Sequence, residues 1–224
     1  MCGRYALKAS PAELITFFKI AECVDFTPRF NIPTGTDIPV IRRSPEGQRV
    51  LHLLRWGLVP HWAKDPTIGN RLANARGESV AEKPAFRDAF RKRRCLVPAD
   101  GFYEWKTEGR TKQPYYFSRV SGAPLALAGL WEYWRAPDGS ILRTVCLITT
   151  AANSLMEPIH ERMPVILEPE DWANWLEGPV EQVIRHIAPY AGDDLQCWPV
   201  DRRMSRTTEE GEKLIERVRL EEGL

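Results

Sequence analysis

The spacing of apolar and polar positions changes period several times along this 224-residue chain. Leu14, Phe17 and Phe18 fall three and four apart, the spacing that lines one face of a helix. Ser10-Pro11-Ala12-Glu13 ahead of them carries a capping box and a first-turn proline. "RFNIPTGTDIPVIRR" is rich in Pro and Gly and predicts a loop leading into a strand, and "RVLHLLRWGLVP" predicts a strand ending in a turn. "HWAKDPTIGNRLANARGES" has no period and many turn formers and predicts a long loop, of the kind that is usually functional or disordered. "VAEKPAFRDAFRKRR", with Phe86 and Phe90 four apart, predicts a helix. "CLVPADGFYEWK", "QPYYFSRV", "PLALAGLWEYW" and "ILRTVCLITTAA" predict four strands joined by "KTEGRTK", "SGA" and "APDGS". "SLMEPIHERMP" reads as a short helix or turn before the strand "VILE". "PEDWANWLEG" and "PVEQVIRHIAP" read as helices, and "LQCWPV" as a late strand. Thr207 and Glu210 form a second capping-box start, which predicts a marginal terminal helix. Strands outnumber helices and hairpin turns dominate. The expected class is α+β: a single domain around a curved, mostly antiparallel β-sheet or open barrel with peripheral helices.

Charge and cysteine usage narrow the function. Lys and Arg (31) nearly balance Asp and Glu (30), for a formal charge of +1, so nucleic-acid binding would need a segregated basic patch. The five cysteines, at 2, 23, 95, 146 and 197, are scattered, odd in number and free of any CxxC. That pattern argues against a zinc knuckle or disulfide framework and fits a reducing compartment. No metal and no cofactor is expected. The first residues lack the apolar core of a signal peptide, and no apolar run approaches membrane-spanning length, so a cytoplasmic location without membrane contact is expected.

Four segments carry polar side chains where the pattern predicts burial. Cys2 follows Met1, and a small second residue usually permits removal of Met1. That would leave an amine (pKa ~8) and a thiol (pKa ~8.5) on adjacent carbons. A frayed terminus explains the same letters without chemistry. Glu104 sits between Tyr103 and Trp105, and strand alternation turns it to the opposite face. Facing a cleft, it would carry protons near neutrality; facing water, it would be an ordinary surface residue. His160 and Arg162 in "IHERMP" read equally as a structural histidine beside a surface charge. Asn74 and Arg76 in the long loop read as a turn residue and a solvated cation. Taken together, a nucleophile, a carboxylate, an imidazole, an amide and several arginines make up an acid–base site with anion binding. The run Arg87, Arg91, Lys92, Arg93, Arg94 reads by default as a solvated helix face, with a phosphate-binding patch as the alternative.

The ordered set "MCGRYA", "RFNIPTGT", "WGLVPHW", "NARGES", "PADGFYEW", "LALAGLWE", "ITTAAN", "IHERMPVIL" and "WPV" resembles the SOS-response-associated peptidase (SRAP) family of abasic-site-processing proteins. The resemblance spans residues 2–205 and leaves 206–224 as a charged C-terminal helix or tail. It departs at Asn31-Ile32-Pro33, where the proline comes one position early for the family's loop. The resemblance implies that Met1 is lost, by self-removal or an aminopeptidase, and that Cys2 condenses with abasic sites in single-stranded DNA to give a thiazolidine cross-link. It implies that Asn74 orients Cys2, that Glu104 moves protons and that His160 assists sugar-ring opening. Arg76 and Arg162 are implied as DNA-backbone contacts, with Arg4 as a third, and Trp62 as a stacking face. Weak lyase activity, a monomeric state and association with the bacterial nucleoid are further expectations, while reversal of the cross-link and a choice between single strands and strand junctions are left open by the sequence. Two rivals remain at this point: an N-terminal-cysteine glutamine amidotransferase of class II type, and a non-enzymatic single-stranded-DNA-binding module.

Overall fold

Near-continuous apolar runs such as "LALAGL" and "VCLI" set the central strands, which are buried on both faces, and the computed structural model describes residues 2–220. Met1, on which the expected processing falls, and residues 221–224 of the tail lie outside the described residues. In chain order the elements are β1 (Arg4–Leu7), α1 (Pro11–Phe18), β2 (Glu22–Cys23), β3 (Arg29–Pro33), β4 (Asp37–Arg43), β5 (Arg49–Trp56), β6 (Asn74–Arg76), α2 (Arg87–Lys92), β7 (Arg94–Ala99), β8 (Gly101–Glu108), β9 (Thr111–Arg119), β10 (Leu125–Arg135), β11 (Ile141–Ala151), β12 (Arg162–Pro164), β13 (Ile166–Leu167), α3 (Trp172–Glu177), α4 (Val180–Val183) and β14 (Leu195–Pro199).

The strands β4, β5, β7, β10 and β11 close on themselves. β5 pairs β4, β4 pairs β7, β7 pairs β10 and β10 pairs β11, all antiparallel; β11 then returns to β5 in a short parallel pairing, Thr144 opposite Arg55 and Val145 opposite Trp56. The curved sheet expected from the sequence is therefore a closed five-stranded barrel, which removes free edges. A second sheet, in the order β14-β9-β8-β1-β3, is joined to it where β7 runs into β8. Asp100 makes that break: its buried carboxylate accepts the N–H groups of Lys8 (2.6 Å) and Ala9 (2.9 Å). Trp56, Trp175, Tyr5, Phe18, Phe90, Phe102 and Phe117 fill the interior, with Phe102 stacked on Phe117 at 5.1 Å between centroids. A smaller cluster of Ala6, Tyr103, Tyr116, Val200, Met204 and Leu214 lies on the other face of the second sheet.

Local chemistry explains where the elements start and stop. Ser10 Oγ accepts from Glu13 N, and Glu13 Oε2 accepts from Ser10 N at 2.7 Å, so the predicted capping box forms. Lys19 ends α1 in the left-handed conformation (φ 53°). Three expectations are corrected. Residues 29–33 form a strand, not a loop: β3 pairs β1, Tyr5 opposite Ile32, and Pro33 sits at its last position, where a missing N–H costs little. The helix expected over 80–94 shortens to Arg87–Lys92, because Pro84 lacks an N–H and disfavours helical backbone before it. Among the described residues no α-helix follows Thr207. The carbonyls of Arg206 and Glu209 instead accept from Asn31 Nδ2, and Gly211 (φ 109°) leads into a single 3-10 turn at Glu212–Ile215. This C-terminal segment packs through buried Leu214, and Ile215 O accepts from Trp198 Nε1 at 2.8 Å.

The long loop after β5 is held by backbone contact. A Cβ on Gly69 would lie 2.6 Å from Gly57 O, and one on Gly57 would lie 2.6 Å from Gly69 O, so both positions require glycine. The loop then turns through a 3-10 segment, Pro66–Arg71, and delivers β6 to the side of β11. Among the described residues no helix is long and apolar enough to cross a membrane.

Candidate active site

The end of β11 organises the site. β6 pairs with it in parallel, Leu147 opposite Asn74 and Thr149 opposite Arg76; β12 pairs antiparallel on its other side, Ala151 opposite Arg162. Three residues separated by 88 positions of sequence, Asn74, Arg76 and Arg162, thereby reach one rim. The second sheet supplies the rest. β1 runs antiparallel to β8 with Tyr5 opposite Phe102, so the chain ahead of β1 passes along Glu104.

Cys2 is fully buried, and its carbonyl accepts from Asn74 Nδ2 at 2.8 Å. The other oxygen-bearing end of that amide, Asn74 Oδ1, is buried without a hydrogen-bond partner. Burial pushes the Cys2 thiol well above its ordinary value, and the nearby charge of Glu104 pushes it the same way. Glu104 is 2 % exposed. Burial raises its carboxyl too, against the opposing pull of His160. Strand parity is as expected: Tyr103 and Trp105 face the small cluster under the C-terminal segment, and Glu104 faces the other way. His160 Nδ1 accepts the Arg162 N–H at 2.9 Å, which leaves the neutral ring's proton on Nε2; the more distant Arg162 carbonyl, at 3.2 Å, would favour the other tautomer. Cys2, Asn74, Glu104 and His160 are thus one connected group.

The expected DNA contacts divide. Arg76 is exposed and lines an open groove with Glu78, Ser79, Lys83, Glu161 and Arg162. Arg162 Nη2 donates to Thr149 O (2.7 Å) and Oγ1 (3.2 Å), and its fork holds both oxygens of Glu78. Trp62 is 51 % exposed, its indole N–H reaching Pro84 O at 3.3 Å. Arg4 is placed differently: it is buried, and Nη1 donates to Asn31 Oδ1 (2.5 Å) and Met204 O (3.1 Å). The basic run also divides. Arg87, Arg91 and Lys92 are exposed, Arg93 pairs with buried Glu132, and Arg94 is buried against the carbonyls of Trp175, Gly178, Phe90 and Arg91. Among the described residues no three His, Cys, Asp or Glu side chains group as ligands for a metal ion.

Residues 1–207 match the family model for the SOS response associated peptidases, SRAP. The chain belongs to the SRAP family. Among SRAP relatives it is 38 % identical over 223 residues to the abasic site processing protein YoqW of Bacillus subtilis, covering 96 % of this chain and 99 % of that one. It is 28 % identical over 234 residues to the abasic site processing protein YedK of Escherichia coli, covering 97 % and 100 %. A solved structure from Bacteroides thetaiotaomicron shares the SRAP fold at a TM-score of 0.87 and 24 % identity, covering 97 % of this chain and all of that one. A phage-related protein from Bordetella bronchiseptica aligns at a TM-score of 0.71 and 30 % identity, covering 90 % and 95 %. Within this SRAP site, Glu78 and Thr149 received no role from the sequence. Glu78 follows Arg76 by two positions in "NARGES", and that spacing was its only signal.

Proposed function

We propose that this protein processes abasic sites in single-stranded DNA by bonding covalently to them through Cys2. The observation that carries the reading is the Asn74–Cys2 hydrogen bond, which ties fully buried residue 2 to β6, within reach of the charge of Glu104, whose carboxyl in turn feels His160. The relatives' shared name, abasic site processing protein, points to the same substrate.

Loss of Met1 by hydrolysis gives Cys2 a free amine. The ring-opened deoxyribose offers an aldehyde at C1′. The amine adds to that carbon, and water leaves to give an imine. The thiol sulfur then bonds to the imine carbon while its proton passes to nitrogen, closing a thiazolidine. One water is released overall and no redox change occurs. Burial keeps the thiol protonated, so the amine acts first and the sulfur second. The raised Glu104 carboxyl holds a proton at a pH where an ordinary glutamate would not, as the departing water requires. His160 assists sugar opening through its ring nitrogens, one of which is engaged by the Arg162 backbone. Asn74 Oδ1 is available to accept from the new amine. Arg76 and Arg162 contact phosphates and Trp62 stacks on a base. β-Elimination from the same imine would give weak lyase activity.

The test uses untagged protein, a single-stranded oligonucleotide with one abasic site, and a denaturing gel without borohydride. A heat-stable protein–DNA band that disappears with Cys2→Ala is expected. A band of equal intensity in that variant would sink the assignment, and a band seen only after borohydride would stop the chemistry at the imine.

A further inference from the structure

Glu78 lines this groove and pairs directly with one of its arginines. It stands on a single 3-10 turn, Gly77–Ser79, directly after β6. Its two carboxylate oxygens meet the two terminal nitrogens of Arg162 in a fork-on-fork arrangement, Oε2 to Nη2 at 2.9 Å. That is the geometry in which a guanidinium binds two oxygens of a phosphate. The two partners differ sharply in exposure. The Arg162 side chain is 14 % exposed and the Glu78 side chain 56 %.

Arg162 does not depend on Glu78 for its position. Its backbone lies in β12, and Nη2 is anchored from below by the carbonyl and hydroxyl of buried Thr149. Glu78 covers only the side that opens to the groove. Arg162, through its hydrogen bond and charge, and then Arg76 hold its carboxyl below the usual range, so it is ionised wherever DNA is handled.

We infer that Glu78 is an internal stand-in for a DNA phosphate, occupying the Arg162 fork in the free protein and competing with the DNA backbone for it. This rests on the reading of Arg162 as a phosphate contact. The consequence runs opposite to the usual loss on mutating a groove residue: removing the charge should strengthen binding. An exposed ion pair is weak, so its displacement withholds a modest factor, about two- to fivefold in affinity.

The experiment measures equilibrium binding of an undamaged single-stranded oligonucleotide, over a series of salt concentrations, to the full chain and to Glu78→Gln, Glu161→Gln, Arg162→Gln and the double variant Glu78→Gln/Arg162→Gln. Glu161 lines the same groove and controls for bulk charge. Glu78→Gln is expected to bind about two- to fivefold tighter with an unchanged log–log salt slope, since the Arg162 fork meets the same phosphate in both proteins once Glu78 is displaced. Glu161→Gln is expected to change less, and the double variant to bind no better than Arg162→Gln alone. Unchanged or weaker binding by Glu78→Gln would overturn the inference. So would an equal gain from Glu161→Gln, since that is charge without competition, or a gain that survives loss of Arg162. If the parent chain and all variants fail to bind, or Arg162→Gln binds like the parent, the phosphate-contact reading itself falls, an outcome distinct from the others.

Discussion

Replacing Asn74 by Ala should separate positioning from stability, because two energetic consequences of the change oppose each other. The variant loses the 2.8 Å bond to the Cys2 carbonyl and leaves that buried acceptor unpaired. An orphaned buried acceptor costs ~1–3 kcal/mol. The parent, however, already carries such an orphan in Asn74 Oδ1, which the substitution removes. The two changes offset to within about 1 kcal/mol, which for a chain of this size means a Tm shift of no more than about 4 °C. Cross-linking has no such offset. On the proposed mechanism residue 2 meets an aldehyde carbon and a proton carrier together, and a misplacement of ~1 Å costs ~100-fold, or about 2.7 kcal/mol in the barrier. The assay pairs thermal unfolding with single-turnover formation of the heat-stable adduct. A Tm loss above about 8 °C, or an adduct rate within about threefold of the parent, would refute the reasoning.

Other substitutions read the remaining parts. Glu104→Gln should change the pH dependence of stability: the buried carboxyl of the parent binds its proton more tightly folded than unfolded, so the parent loses stability as pH rises above the unfolded value of ~4.3, whereas glutamine cannot ionise. The variant's Tm relative to the parent should therefore be higher at pH 7 than at pH 4, and an equal difference at both would contradict it. The same variant should form the adduct more slowly. Arg94→Ala strips four carbonyls of a buried cation and should destabilise by at least ~3 kcal/mol in denaturant titration, whereas exposed Arg91→Ala should stay within ~0.5 kcal/mol. Trp62→Ala should weaken oligonucleotide binding ~5- to 150-fold by fluorescence anisotropy while leaving the unfolding midpoint unchanged, since the ring is half exposed.

The features legible in the sequence are those set by near neighbours. The Ser10–Glu13 capping box, the hairpin of β8 and β9 and the parity that turns Glu104 away from Tyr103 all depend on a few adjacent residues. What was hidden depends on distant partners. β6 is three residues long, too short for any period to show, and it becomes a strand only because β11 offers it a ladder. Residues 29–33 read as a loop because Pro33 masks a strand that β1 completes. Arg94 read as the end of a solvated run, yet its guanidinium closes the carbonyl ends of two helices. Asn31 gave no sign that it ties β1, through Arg4, to a segment more than 170 residues away.

The pairing of β11 with both β6 and β12 also has a consequence in time. Cys2 emerges first during synthesis, but its surroundings include His160, 158 residues later. At ~5–20 residues per second, that interval is about 8–30 s. For most of it residue 2 lacks its completed surroundings, since β11, which holds β6 and its Asn74 in place, ends only at Ala151. The fold that later buries Cys2 completely therefore sets a deadline: on the proposed reading, removal of Met1 by an aminopeptidase is expected before these strands close over residue 2.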